Sequence, residues 1–196
     1  MRKKRKKLLL FFLFFLFATR AEGEPKLQGE IQANALEAAR SALQGKKTSS
    51  FTPLHPALAR AGGVFVTITE EGKTRGCWGS VEPQTENLAT EIALDTRKAL
   101  FDDYRFRPVN PAELKKLRFY VSLVQALEPV EDWRVLRPMQ EGLLVSSGGR
   151  GGVLLPGEAR TSIWQVNECR RKAGIMPGKP VRMFKFKTTV YGPLEP

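Results

Sequence analysis

The residues of this chain that could do chemistry are concentrated in the short segment 75–80, Arg-Gly-Cys-Trp-Gly-Ser. Cys77 stands between Gly76 and Gly79, and Arg75 lies just before the first glycine. A cysteine beside a guanidinium and unhindered backbone N–H groups can have a lowered pKa and act as a nucleophile, a redox centre or a ligand. The alternative is a small buried side chain, because free cysteines are among the most buried residues. The segment therefore indicates a site with Cys77 as its candidate catalytic residue, and it names no reaction.

Arg75 is a candidate for binding a small anion. A guanidinium can hold a carboxylate or phosphate at two points, and Gly76 and Gly79 would let backbone N–H groups approach the same ligand. The alternative is an internal ion pair, for which Asp103 is the obvious partner. Asp103 and Arg105 form an Asp-x-Arg loop that could supply an acid and an anion clamp, or could fix a turn. We predict a ligand site that includes these five residues.

Histidine and cysteine are too rare in this chain for many kinds of catalytic and metal site. The single histidine, His55, excludes a multi-histidine metal site, and we predict no metal. His55 could serve as a base for Cys77 only if its linker folds back, and a lone histidine before proline is typical of a surface or capping position. Cys77 and Cys169 could form one disulfide in an oxidising compartment. The sequence identifies no cofactor.

The N-terminal segment has the features of a signal peptide. A basic run at 2–7 precedes an apolar run at 8–18, and Ala21 provides a small residue for cleavage. Eleven apolar residues rise only about 16 Å as a helix, roughly half a bilayer core. We therefore predict that residues 1–21 are removed and that the protein is exported to the periplasm or secreted. The alternative is a membrane anchor formed by residues 8–18.

Cleavage would change the charge of the protein. The whole chain has 32 Lys and Arg and 20 Asp and Glu, a net charge of +12. Seven of the basic residues lie in residues 1–21, so the remainder carries 25 basic residues against 20 acidic ones, a net +5. Such a mild surplus, without a stripe of aromatic and basic residues, makes nucleic-acid binding unlikely. Contact with a membrane is expected only through the N-terminal segment.

The remaining residues predict one α+β domain at 30–192, after a flexible N-terminus at 22–29. Its elements alternate irregularly and include hairpins, which favours a mixed, largely antiparallel sheet with flanking helices and a small subdomain. Asn110 and Glu113 have the spacing of a capping box that begins a short helix. The tryptophans Trp78, Trp133 and Trp164 are expected in the core or at the subdomain interface. The predicted helices are 30–43, 85–101 and 158–173, and the predicted strands are 64–69, 74–78, 118–125, 142–145, 153–155 and 181–191.

The order of several short motifs resembles the AMMECR-type (AMMECR1) domain family. The family signature follows a Phe-Val-Thr strand and reads Leu-Arg-Gly-Cys-Ile-Gly. The matching segments here are 65–67, 74–79, 103–108, 113–114, 121–123, 142–143, 155–156 and 172–175. Thr74 and Trp78 replace aliphatic residues of the signature. The segment 103–108 matches the family's Asp-Pro-Arg-Phe-Pro-Pro, and Tyr104 and Arg107 replace prolines in it. The resemblance covers nearly all of the chain after the N-terminal segment.

This resemblance implies a compact α/β arrangement with a smaller subdomain and a cleft near the signature. It attaches no established reaction to the fold. It also implies a possible partner, a Memo-like or radical-SAM-associated protein, because some prokaryotic members accompany such proteins. Two functions stay open: a small-molecule or anion site around residues 75–79, with or without catalysis, and a non-enzymatic interaction module in which the same residues are structural.

Overall fold

The structure is a computed structural model that describes residues 25–46 and 51–194. The predicted signal peptide at residues 1–21, with the alternative anchor at 8–18, lies outside these residues. Among the residues described, no helix is long and apolar enough to cross a bilayer.

The described residues form three α-helices, α1 (Pro25–Leu43), α2 (Leu88–Phe101) and α3 (Ser162–Lys172). Helix α1 begins five residues before the predicted start at 30, so Pro25 to Gly29, expected to be flexible, are helical. Proline is tolerated there because the first turn needs no N–H donor. Helices α2 and α3 begin later than predicted because Asn87 and Thr161 act as N-caps, whose side chains accept a backbone N–H of the first turn.

Within residues 25–46 and 51–194, eight strands form two four-stranded sheets in which every pairing is antiparallel. The first sheet has the order β2-β1-β3-β8, and the second has the order β4-β7-β5-β6. This arrangement of helices and antiparallel sheets confirms the α+β class. The strands are β1 (Val64–Glu70), β2 (Lys73–Ser80), β3 (Leu117–Val124), β4 (Glu128–Pro129), β5 (Gly142–Ser147), β6 (Arg150–Leu154), β7 (Arg182–Phe186) and β8 (Thr188–Leu194).

The single final strand predicted at 181–191 is wrong. The chain divides at Lys187 into β7 and β8, and each pairs in a different sheet. The alternation of apolar and polar residues is the same on both sides of Lys187, so this pattern does not indicate that one strand ends and another begins there. On β7, the Nζ of Lys185 lies 3.2 Å from Oε1 of Glu141, a buried carboxylate.

Each sheet has its own core, and a third group of side chains joins them. Helices α1 and α2 cover one face of the first sheet, where Ile31 and Ile92 lie in one core with Phe119 of β3. Helix α3 covers the second sheet through Val166 and Cys169. The connecting cluster, which holds the two sheets together, consists of Phe65, Val124, Leu155 and Phe186. Since Phe65 is on β1, this cluster places the second sheet and its loops beside the predicted site.

Candidate functional site

The predicted site lies on the hairpin of β1 and β2, where a bulge redirects Arg75. Ile68 pairs with Gly76 and Thr69 pairs with Thr74, so Arg75 is the extra residue without a partner on β1. A bulge of this kind turns a side chain away from its regular direction. The side chain of Arg75 therefore reaches the loop that follows α2.

The guanidinium of Arg75 donates four hydrogen bonds to protein groups. Its Nε donates to Oε2 of Glu113 at 2.8 Å, and Nη2 donates to Oε1 of the same residue at 3.2 Å. Nη1 and Nη2 also donate to the carbonyls of Arg107 and Pro108, at 2.8 and 3.3 Å. The side chain of Arg75 is only 11% exposed, and its hydrogen bond lowers the pKa of Glu113. The ion-pair alternative is correct for Arg75, but the expected partner Asp103 is wrong and the partner is Glu113.

Asp103 instead joins Arg105 to the backbone of Cys77. The N–H of Cys77 donates to Oδ2 of Asp103 at 2.8 Å. Arg105 donates from Nε to Oδ1 at 2.8 Å and from Nη2 to Oδ2 at 2.7 Å. Burial alone would raise the pKa of Asp103, but these hydrogen bonds together lower it. The carboxylate is therefore ionised, and it fixes one edge of Arg105 while 49% of the arginine side chain remains exposed.

Gly76 and Gly79 are explained by close packing. A Cβ on Gly76 would lie 2.1 Å from the carbonyl oxygen of Ala99 on α2, and one on Gly79 would lie 2.2 Å from the carbonyl oxygen of Val64. No side chain can be accommodated at such distances, and neither glycine has a positive φ. Their absence of a side chain therefore lets β2 approach α2 and β1.

The thiol of Cys77 lies against Thr67 on the neighbouring strand, with Sγ 3.4 Å from Oγ1. Burial raises the pKa of Cys77, the charge of Glu158 raises it further, and Thr67 and Arg105 only partly oppose this. The lowered pKa on which the catalytic alternative for Cys77 depends is therefore wrong, because desolvation outweighs the nearby guanidinium. Cys77 and Cys169 are both free thiols. Burial raises the pKa of Cys169 to about 12.

His55 contributes to local structure at the start of a short 3₁₀ helix. Its Nδ1 accepts the N–H of Ala57 at 3.2 Å, and its own N–H donates to Oε2 of Glu30 at 2.6 Å. This agrees with the expectation of a capping residue. Across residues 25–46 and 51–194, no group of three or more His, Cys, Asp and Glu side chains could hold a metal ion.

Glu158 is the residue of this site that the sequence did not indicate. It follows β6, and its Oε2 accepts the N–H of Leu155 at 2.7 Å. Leu155 packs with Phe65 in the connecting cluster, which brings Glu158 over the first sheet. Burial raises the pKa of Glu158, and its charge also acts on the pKa values of Cys77 and Arg105. The available signal was its position after Leu155-Pro156, a motif of the resemblance, but only the contact between sheets places it here.

A shallow cleft of about 230 Å³ lies next to Glu158. Glu158, Arg160, Thr161 and Trp164 line it. Trp164 is 47% exposed, so the expectation that it lies in the core or an interface is wrong. Trp78 and Trp133, by contrast, pack against the two cores as expected. Glu158 therefore lines the cleft, and its charge also acts on Cys77 and Arg105.

Comparison with known proteins identifies the family. The AMMECR1 family model matches residues 28–191. A Thermotoga maritima protein is 39% identical over 136 residues, 67% of this chain and 78% of that protein, and a Thermoplasma volcanium protein is 31% identical over 185 residues, 85% and 92% of the two. The crystal structure of an uncharacterised protein from Pyrococcus horikoshii superposes with a TM-score of 0.76 at 25% identity, over 87% of this chain and 95% of that chain. The chain therefore belongs to the AMMECR1 family.

Proposed function

We propose that this domain binds a small anionic molecule at the exposed edge of Arg105, beside Glu158. The observation that carries the proposal is the way Arg105 is held. Asp103 engages Nε and Nη2, while about half of the side chain remains exposed. A guanidinium whose one edge is fixed can present its other donors to a carboxylate or phosphate without losing further conformational freedom.

The backbone of the signature segment supports this arrangement. The N–H of Cys77 holds Asp103, and Gly76 allows β2 to lie directly on α2, whose end leads into the Asp103 loop. Arg75 ties the same strand to the end of that loop through Arg107 and Pro108. In this proposal Arg105 contacts the ligand, and Arg75, Gly76 and Gly79 position the elements around it.

The electrostatics of the site also favour an anion of low charge. The positive charge of Arg105 is balanced by Asp103, so the protonation of Glu158 decides whether another negative charge is repelled. Burial raises the pKa of Glu158, which favours its neutral form. A neutral carboxyl does not repel an anion, and it can donate a hydrogen bond to it.

A titration of Arg105→Gln tests the proposal. Inorganic phosphate and acetate would be titrated into the protein and followed by calorimetry or by amide chemical shifts. We expect the substitution to weaken binding at least tenfold. Arg134→Gln is the matched control, because Arg134 forms the same Asp-x-Arg pair with Asp132 at 3.2 Å on another part of the surface. Equal affinities of the Arg105→Gln variant and the wild type would exclude a site at Arg105.

Tyr104 favours a second candidate function, a non-enzymatic interaction module. Its side chain is 94% exposed on the loop that carries Asp103 and Arg105. A large aromatic residue exposed in this way is typical of a contact in a protein interface. A purified Memo-like or radical-SAM-associated protein is the partner to test. This candidate predicts that Tyr104→Ala weakens the complex and leaves phosphate binding unchanged, whereas a single shared site would lose both.

Export of the protein is a separate proposal that rests on the basic and apolar runs at 2–7 and 8–18. Fractionation of the cells that produce the protein, followed by mass measurement, tests it. An exported and processed chain would have the mass of a protein that begins at Glu22 and would leave the cell or enter the periplasm. A membrane fraction that contains the full mass would support the anchor instead, and a full-length chain in the cytosol would exclude both.

A further inference from the structure

Trp164 lies in the first turn of α3 and differs from the other two tryptophans in its surroundings. Trp78 and Trp133 pack against the two cores, whereas Trp164 is nearly half exposed and lines the cleft beside Glu158. A large ring held open to solvent at the edge of a cavity offers a flat apolar surface to a ligand.

One hydrogen bond holds the carboxyl group of Glu158. Its Oε2 accepts the N–H of Leu155 at 2.7 Å. This bond restrains the direction of a carboxyl group whose residue lines the cleft. A protonated carboxyl can donate a hydrogen bond to an ionised carboxylate of a ligand.

We propose that the ligand is a small carboxylate with a flat apolar body, bound with its carboxylate between Arg105 and Glu158 and its body on Trp164. This proposal rests on the proposed function, because it needs the exposed edge of Arg105. The cleft of about 230 Å³ has room for such a molecule, since a cavity of about 150 Å³ accommodates a benzene ring. A multiply charged anion such as phosphate would use Arg105 and leave the apolar surface of Trp164 unused.

The arrangement makes binding depend on pH through Glu158. The charged and titratable groups that act on it come from three elements: Arg105 of the loop after α2, Glu168 and Lys172 of α3, and Cys77 of β2. A further cation, Arg160, lines the same cleft. The burial of Glu158 raises its pKa, so the proton that the ligand needs is present at low pH and is lost as pH rises through that value. Affinity for a carboxylate therefore increases as pH falls, by up to tenfold for each pH unit.

Benzoate, acetate and phosphate are suitable probes for the experiment, with the fluorescence of Trp164 and calorimetry as readouts. We expect benzoate to bind at least tenfold more tightly than acetate and to quench the fluorescence of Trp164. Trp164→Leu should remove most of this difference, whereas Trp133→Phe should keep it. Glu158→Gln should keep binding, because the amide can donate permanently, and should remove the pH dependence.

The outcomes separate this inference from the proposed function. Acetate and phosphate could bind at Arg105 while benzoate binds no more tightly than acetate, or Trp164→Leu could leave the higher affinity for benzoate unchanged. Either result excludes a carboxylate with an apolar body as the ligand and leaves the anion site standing. If the affinity for benzoate depends on pH in the same way in the wild type and in Glu158→Gln, Glu158 does not supply the proton. If no probe binds and Arg105→Gln changes nothing, both proposals fail.

Discussion

The backbone N–H of Cys77 donates a 2.8 Å hydrogen bond to Oδ2 of Asp103, and this bond ties the middle of β2 to the loop after α2. The same carboxylate holds Arg105 through two further hydrogen bonds. The cysteine of the signature thus contributes through its backbone position, whatever its thiol does. The position of Arg105 depends on this link, because both hydrogen bonds of its guanidinium go to the carboxylate that Cys77 holds.

Asp103→Asn should lower the free energy of unfolding by about 1–2 kcal/mol at pH 7. The amide oxygen can still accept the N–H of Cys77, but the ionic hydrogen bonds to Arg105 are lost, and the half-exposed position of Arg105 limits the effect. The hydrogen bonds lower the pKa of Asp103, so this contribution is present above its unfolded value and is lost as pH falls through the folded value. Urea unfolding at pH 7 and near pH 3 measures both effects.

The control for Asp103→Asn is Asp132→Asn. Asp132 forms a similar pair with Arg134, but both side chains are well exposed, so the change in unfolding free energy should be clearly smaller than for Asp103→Asn. Equal losses in the two variants would show that the buried link to Cys77 adds nothing to stability.

Gly76→Ala should be among the most destabilising changes in the chain. The new Cβ would lie 2.1 Å from the carbonyl oxygen of Ala99, a backbone atom that cannot move without moving α2. A loss of at least about 3 kcal/mol follows, or failure to fold. Gly29→Ala is the control, because nothing lies within 4 Å of its Cβ position on α1, and alanine should stabilise that helix by about 0.5–1 kcal/mol. Thermal unfolding compares the two, and a Gly76→Ala protein as stable as the wild type would contradict the packing argument.

Arg75→Gln should reduce stability without reducing the affinity for an anion. Glutamine cannot replace the two-point contact with Glu113 and the two bonds to loop carbonyls, so a loss of about 2–3 kcal/mol is expected. Arg97→Gln provides the comparison, since Arg97 is exposed and lies 3.9 Å from Asp102. Unfolding in urea and phosphate titration below the transition measure the two properties. If Arg75→Gln lowers the affinity for phosphate as far as Arg105→Gln does, Arg75 contacts the anion and belongs to the binding site.

Features encoded within a few residues were predictable from the sequence. The capping box of Asn110 and Glu113 is present, with both reciprocal hydrogen bonds, although the helix it begins is a 3₁₀ helix. The first hairpin and the irregular α+β order are also present as predicted. These features depend on side-chain size, branching and local hydrogen bonds, which the sequence states directly.

The remaining errors concern contacts between distant parts of the chain. Glu113 was recognised as a capping residue, but its second role as the partner of Arg75 joins residues 38 positions apart. Glu158 enters the site only because Leu155 packs against Phe65 between the two sheets. The alternating pattern of residues 181–191 fits one strand and two strands equally well, so only the pairing partners show that β7 and β8 are separate. No local pattern in the sequence specifies which distant elements meet.

Cys77 should react slowly with iodoacetamide in the folded protein. Burial raises the pKa of its thiol, so less of the reactive thiolate is present than in an unfolded chain at the same pH. At pH 8 we expect alkylation at least tenfold slower than in a urea-denatured control, measured by mass spectrometry of the peptide that contains Cys77. Cys169 is the internal reference, because it is fully buried with a pKa of about 12 and should react only on unfolding. Alkylation of Cys77 as fast as in the denatured chain would restore it as a candidate nucleophile.

Asp95→Asn should change how stability depends on pH. Asp95 and Glu91 lie one turn apart on α2 at 0% exposure, and both oxygens of Asp95 lack a partner among the described residues. Burial, then the charge of Glu91, raise the pKa of Asp95 to about 7, against the opposing charge of Lys98. Between its ordinary value of 3.8 and about 7, the folded protein keeps a proton that the unfolded chain has lost, so stability falls as pH rises across this range.

The Asp95→Asn variant lacks this proton, so its free energy of unfolding should gain on the order of 2–4 kcal/mol relative to the wild type between pH 4 and 8. A change in stability that the amide causes equally at every pH cancels in that comparison. Asp102→Asn at the end of the same helix is the control. Parallel urea-unfolding profiles for Asp95→Asn and the wild type would mean that Asp95 is ionised in the fold and finds a partner there.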